Sequence, residues 1–126
     1  MAEHFDFGKE AETKAIEFLE NSNYQILEKN WRFKKAEIDI IALDISTHEL
    51  VIAEVKARKL NSLTTPEEAV NSKKKKLLVE AANEYVVRNE LENEVRFDII
   101  SVRKTESQSN STWKIYQIKN AFYAYE

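Results

Sequence analysis

Asp39 and Glu54 each interrupt an apolar run, Ala36 to Leu43 and Leu50 to Arg58, and Lys56 follows two residues after the second. Strand alternation puts Ile38, Ile40 and Ala42 on one face of the first run and Glu37, Asp39 and Ile41 on the other. In the second run, Val51, Ala53, Val55 and Ala57 alternate with Ile52, Glu54, Lys56 and Arg58. Glu54 and Lys56 then stand about 6 to 7 Å apart along the strand. A charge placed inside a sheet is costly unless it is paired, hydrated or bound to a metal. Two explanations fit: a solvated outer face carrying a cross-strand ion pair, or a metal site made by Asp39 and Glu54 with Lys56 beside it. The chain has no cysteine and two histidines, His4 near the N-terminus and His48 in an expected turn. A metal would therefore be held by oxygen, which points to Mg²⁺, Mn²⁺ or Ca²⁺.

Two more charges fall within helical apolar stripes. Phe7 to Asn21 has helical periodicity, with Asp6 as its expected cap and Ala11, Ala15, Phe18 and Leu19 on one stripe. At about 100° per residue, Glu12 falls between Leu19 and Ile16, within the apolar arc. Either its stem packs and its head reaches water, or it faces a site. A second helix is expected from Thr65-Pro66-Glu67-Glu68, a cap, first-turn proline and capping box, to about Asn89. Its stripe is Val70, Leu77, Leu78, Ala81 and Tyr85. Of Lys73 to Lys76, Lys74 lies in the middle of that stripe, Lys73 on its edge, and Lys75 and Lys76 face away. Lys74 points either at an anion or buried carboxylate, or snorkels to water.

The remaining elements supply the frame. Tyr24 to Phe33 predicts a strand that leads through Lys34-Lys35 into the two central ones; its Trp31 is expected in the core and its Arg32 in solvent. Val95 to Val102 and Trp113 to Ile118 predict two more strands, with Thr105 to Thr112 as a loop. Asp98 is expected to pair with Arg96 or to cap rather than to ligate. The order α-β-β-β-α-β-β implies an α/β sandwich with a mixed sheet. At 126 residues, one domain over 1–126 is expected. No run approaches the length of a signal peptide core or membrane span, so a cytoplasmic protein with no membrane partner is expected. The net charge of −3 gives no global attraction to nucleic acid, but one basic face suffices for local binding.

Beyond these readings, the chain resembles a known family. Gly8 to Glu12 with Ala15 and Phe18-Leu19, Asn30-Trp31-Arg32, Ala36 to Ile41, Glu54 to Arg58, Pro66 with Glu68 to Val70 and Lys74, and Arg96-Phe97-Asp98 look like the successive motifs of the YraN-like family. That family comprises bacterial, uncharacterised, endonuclease-like proteins of the PD-(D/E)xK nuclease superfamily. The chain departs from its pattern at Ala11, Ala36 and Thr65, where glycine is usual. A similar pattern occurs in archaeal Holliday-junction resolvases.

The resemblance implies a restriction-endonuclease-like fold, a mixed central sheet flanked by helices, and a Mg²⁺- or Mn²⁺-dependent nuclease acting on DNA, branched or junction DNA included. Asp39 and Glu54 would hold the metal, with help from the Val55 carbonyl. Glu12 would complete a second ion's shell, and Lys56 would orient the attacking water or steady charge on the phosphate. Lys74, Lys73 and Arg58 would contact phosphates, and Glu37 would support Asp39. Two other readings are a nucleic-acid-binding module that no longer cuts and a protein-interaction domain. The latter would form a homodimer through the aromatic C-terminus, Ala121 to Tyr125.

Overall fold

A computed structural model describes residues 2–59, 70–106 and 111–124 of the chain. The elements are α1 (Ala2–Asn21), β1 (Tyr24–Phe33), β2 (Ala36–Asp44), β3 (Glu49–Lys59), α2 (Ser72–Arg88), β4 (Val95–Glu106) and β5 (Ser111–Phe122). Their order is the expected one. The strands lie in one sheet in sequence order. Short turns make β1–β2 and β2–β3 antiparallel hairpins, and β4–β5 is antiparallel as well. The long connection carrying α2 allows β3 and β4 to run parallel, as a crossover does.

One helix covers each face of the sheet. Ala11, Ala15 and Leu19 of α1 pack on Ile40, Ala42, Val51, Ala53, Ile100 and Val102. Leu78, Ala81 and Tyr85 of α2 pack on Ile38, Ile41, Ile52, Phe97 and Ile99. Each fully buried Leu or Ile contributes about 2 kcal/mol before entropy is counted. Ala11 and Ala36 are themselves buried, and neither has a positive φ, so neither position requires the glycine usual in the resembling family.

Several boundaries differ from expectation. Helix α1 starts at Ala2, so Asp6 lies inside it rather than capping it. Helix α2 starts at Ser72, where the Asn71 side chain accepts the Lys74 N–H at 2.9 Å. The expected start at Thr65-Pro66-Glu68 lies outside the described residues. Val70 comes before the helix, though it is buried in the same core. Strands β4 and β5 extend into the expected loop, with Thr105 facing Thr112 across the ladder. The β5 extension brings Phe122 into the core, stacked on Phe97 with ring centroids 5.0 Å apart. Phe122 is thus core rather than an interface residue, while Tyr123 beside it is exposed.

The largest correction concerns β2. Ile38 packs in the α2 layer, whereas Ile40 and Ala42 pack in the α1 layer. The three do not share a face. Strict alternation requires a continuous ladder, and the β2–β3 pairing runs only from Asp44↔Glu49 to Ile40↔Ala53. Beyond Ile40 the strands part, and the Asp39 carboxylate takes the Val55 N–H at 2.8 Å.

At the other end of that ladder sits a buried ionic hub. The Arg96 guanidinium on β4 donates to Asp44 at 2.9 Å, to Glu49 at 2.8 Å, to Tyr24 Oη at 2.6 Å and to both oxygens of Asp98. Asp98 also accepts from Gln117 at 2.7 Å and from the Asn120 N–H at 3.1 Å. The expected Arg96–Asp98 pair is therefore present, and the hub joins all five strands. Arg96 is held charged against the cost of burial by Asp98 and Asp44. Burial alone would raise the Asp44 carboxyl, but Arg96 and the Ser46 N–H outweigh it and lower its pKa.

Candidate functional site

The parting of β2 and β3 brings the chemistry together. A regular ladder would have set Asp39 opposite Glu54 as an ordinary cross-strand pair. Instead Asp39 sits in the cleft with its Oδ2 on the Val55 amide, within electrostatic reach of Glu12 from α1 and Lys74 from α2. Glu54 is almost fully buried and faces the α2 layer, as does Ile52 two residues earlier. Lys74 of α2 forms an ion pair with Glu54 Oε2, and Lys56 approaches the same oxygen at 3.4 Å. Of the two alternatives for Lys74, the buried carboxylate is the one realised.

The charges are not balanced oxygen by oxygen. Among the described residues Glu54 Oε1 is buried without a hydrogen-bond partner, although Oε2 has two ammonium groups. Burial, with the Glu54 charge close by, pushes the Asp39 carboxyl up to about 8, against the lowering effect of the Val55 N–H. Burial lowers the pKa of Lys56, Glu54 opposes that, and the neighbouring Lys74 charge adds to it. Burial would lower Lys74 too, but its bond and charge contact with Glu54 prevail and raise it.

The other expected residues fall as follows. Glu12 accepts from Asn30 Nδ2 at 3.0 Å, and burial raises its pKa despite that bond. Among the described residues no three acidic or histidine side chains converge on one point, so Glu12 does not close a three-carboxylate cluster with Asp39 and Glu54. Glu37 is tied to its cross-strand neighbour Arg32 at 3.3 Å. Arg32 is solvent-exposed as expected, and Trp31 packs edge-on against Tyr85 of α2 with ring centroids 5.2 Å apart. Lys73 is exposed at the start of α2. Lys75 lies over the Phe122 ring at 5.5 Å, so it does not face away as the periodicity suggested. Arg58 is further along β3, with a guanidinium nitrogen on the Ala57 carbonyl at 3.1 Å.

Sequence reasoning missed Asn30, which steadies Glu12, and Lys35 with Asn71, which line a groove beside Lys73 and Lys74. The Lys34-Lys35 pair was visible as a turn, but nothing local says that a helix start lies across from it.

Two carboxylates, one of them with a buried oxygen that has no hydrogen-bond partner among the described residues, suit a hard divalent cation. Mg²⁺ needs only one or two carboxylates when water and substrate oxygens complete its octahedron. The donor set Asp39, Glu54 and Val55 is all oxygen apart from the Val55 N–H already used, and therefore fits Mg²⁺ or Mn²⁺ rather than zinc.

A family model described as uncharacterised protein family UPF0102 matches residues 11–102. A UPF0102 protein of Flavobacterium psychrophilum is 48% identical, covering 98% of each chain. Another, of Christiangramia forsetii, is 44% identical over 98% of each chain. A third, of Persephonella marina, is 41% identical over 91% of each.

Proposed function

Because the chain belongs to the uncharacterised protein family UPF0102, a description that names no activity, we propose one from its residues: metal-dependent hydrolysis of phosphodiester bonds in DNA, branched or junction DNA included. The observation that carries this reading is the pairing of Asp39 with Glu54 in the β2–β3 cleft, beside Lys56 and Lys74. The resemblance to YraN-like, endonuclease-like proteins supports it, since nearly all its motifs fall within the matched residues 11–102.

Asp39 and Glu54 would hold the cation; burial first, and the nearby Glu54 charge second, raise the Asp39 pKa. Bound there, Mg²⁺ or Mn²⁺ supplies polarisation of a phosphoryl oxygen and a water acidic enough to attack. Lys56, whose ammonium is made more acidic by burial, orients that water or steadies charge gathering on the phosphate. Lys74, which pairs with Glu54, would contact an adjacent phosphate once a cation balanced that carboxylate. Glu12, anchored by Asn30, would act through water or on a second ion.

The test is a cleavage assay with Mg²⁺ or Mn²⁺ on branched, single-stranded and duplex DNA and on RNA. Wild type is compared with Asp39→Ala and Lys56→Ala. Removing either side chain is expected to lower the rate by at least about 100-fold, the scale of a lost general acid–base or electrostatic group. Cutting that survives both substitutions rules the site out.

One observation favours a second reading, a binding module that does not cut. Lys56 and Lys74 already neutralise Glu54 without any cation. On that reading, titration calorimetry finds no Mg²⁺ or Mn²⁺ uptake, and nucleic-acid binding responds to salt but not to chelator.

A further inference from the structure

A groove of about 270 Å³ opens beside the cleft, between the β1–β2 turn and the first turn of α2. Lys35 lines it from the turn, and Lys73 and Lys74 from the helix. Ala36 and Leu77 add apolar surface. Lys74, on that lining, is also the residue that reaches Glu54. Lys35 and Lys73 are both exposed, and among the described residues neither has a hydrogen-bond or ion-pair partner. The acidic residue on the lining, Glu37, is already paired with Arg32.

These features together describe a recognition surface. Two uncommitted ammonium groups on opposite walls attract an anion that lies between them, and the apolar lining suits a sugar or base edge. The space matches one nucleotide rather than a base pair. The α1 side of the cleft contributes Glu12, so favourable contacts for a phosphate backbone lie on the α2 side. Phosphate contacts of this kind position a strand without reading its sequence.

We infer that this groove binds single-stranded nucleic acid by its backbone, with Lys35 and Lys73 on the phosphate next to the one at Asp39 and Glu54. The inference rests on the proposed nuclease reading for its placement but not for its measurement. It adds Lys35 and the β1–β2 turn to the substrate surface, and it specifies a single strand as the form engaged.

The experiment is fluorescence anisotropy of a fluorescein-labelled single-stranded DNA dodecamer with the full chain in EDTA, across a salt series. The proteins are wild type, the Lys35→Ala/Lys73→Ala double variant, and a control, Lys114→Ala/Lys119→Ala, which removes two exposed lysines from β5. The groove variant is expected to bind about 10-fold more weakly near 0.1 M salt and to lower the log–log salt slope by about 0.7 to 1.4, one to two phosphate contacts. The control is expected to match wild type. Unchanged binding in the groove variant, an equal loss in the control, or tighter binding of a duplex of the same length would overturn the inference.

Failure of the two readings is separable. Lysine-dependent binding by a wild type that never cuts supports the groove and removes the nuclease. Cutting that depends on Asp39, with binding indifferent to Lys35 and Lys73, does the opposite.

Discussion

At the scale of single residues, Asp39 is the group whose chemistry the fold alters most. Its carboxyl rises from an ordinary 3.8 to about 8 because it is buried beside Glu54. Below about pH 4 both folded and unfolded chains hold that proton and nothing is lost. Between about pH 4 and 8 the unfolded chain releases it while the folded chain keeps it, so stability falls as pH rises. The loss is complete above about 8. At about 1.4 kcal/mol per unit, a few kcal/mol of stability are at stake in the cation-free protein. The Asp39→Asn variant should therefore melt higher than wild type at pH 8 and equally at pH 4, which thermal unfolding across that range would check. Adding millimolar Mg²⁺ should raise the wild-type melting temperature at pH 8 through mass action and leave the variant unmoved.

At the scale of elements, the end of α2 shows what limited glycine requires. Leu91 N–H bonds to the Val86 carbonyl and Glu90 N–H to that of Val87, a Schellman closure in which Glu90 takes a φ of 53°. Glycine normally fills that place, but the chain has a single glycine, and it lies within α1. Replacing Glu90 by glycine should stabilise the protein by about 0.5 to 1 kcal/mol, measurable as a shifted urea midpoint at constant slope.

The elements themselves were legible because their periods are clean. Ala11, Ala15 and Leu19 at helical spacing, and Val51 and Ala53 alternating with Ile52 and Glu54, are buried on the faces their spacing indicates. Asp39 was legible as chemistry and not as geometry, since alternation cannot foresee where a ladder ends. Arg96 reads locally as an Arg-x-Asp pair on a strand. Its links to Tyr24, Asp44 and Glu49 come from chain segments 47 to 72 residues away, which no local pattern contains. Asn71 caps α2 ahead of Ser72, a less complete local signal than Thr65-Pro66-Glu67-Glu68, which lies outside the described residues.

At the scale of the whole molecule, the Arg96 hub opposes the open end of the β2–β3 ladder. The ladder's five cross-strand pairs run from the Asp44–Glu49 end, held by Arg96, to Ile40–Ala53, where the strands part. Arg96→Met should cost about 3 to 5 kcal/mol, because it leaves Asp44 and Asp98 buried without their cation. In wild type the lowered Asp44 pKa means its contribution is present above its ordinary 3.8 and fades only in stronger acid. In the variant the Asp44 carboxylate, buried and without Arg96 to lower its pKa, favours protonation, so the deficit should be largest at neutral pH and shrink toward pH 4. Urea titrations at pH 4.5 and 7.5 would show this reversal.

A guanidinium that joins all five strands also sets how the molecule comes apart. Without β4 in place, Asp44 and Glu49 face each other at the hairpin end with only the turn residues Ser46 and Thr47 as partners among the described residues and no cation, so a half-formed sheet is weakest where the complete one is tied. Trp31 lies in the α2 layer and Trp113 in the α1 layer, one fluorophore for each side. Emission from either tryptophan, with the other changed to phenylalanine, should report a single shared denaturation midpoint: the two layers melt as one cooperative body.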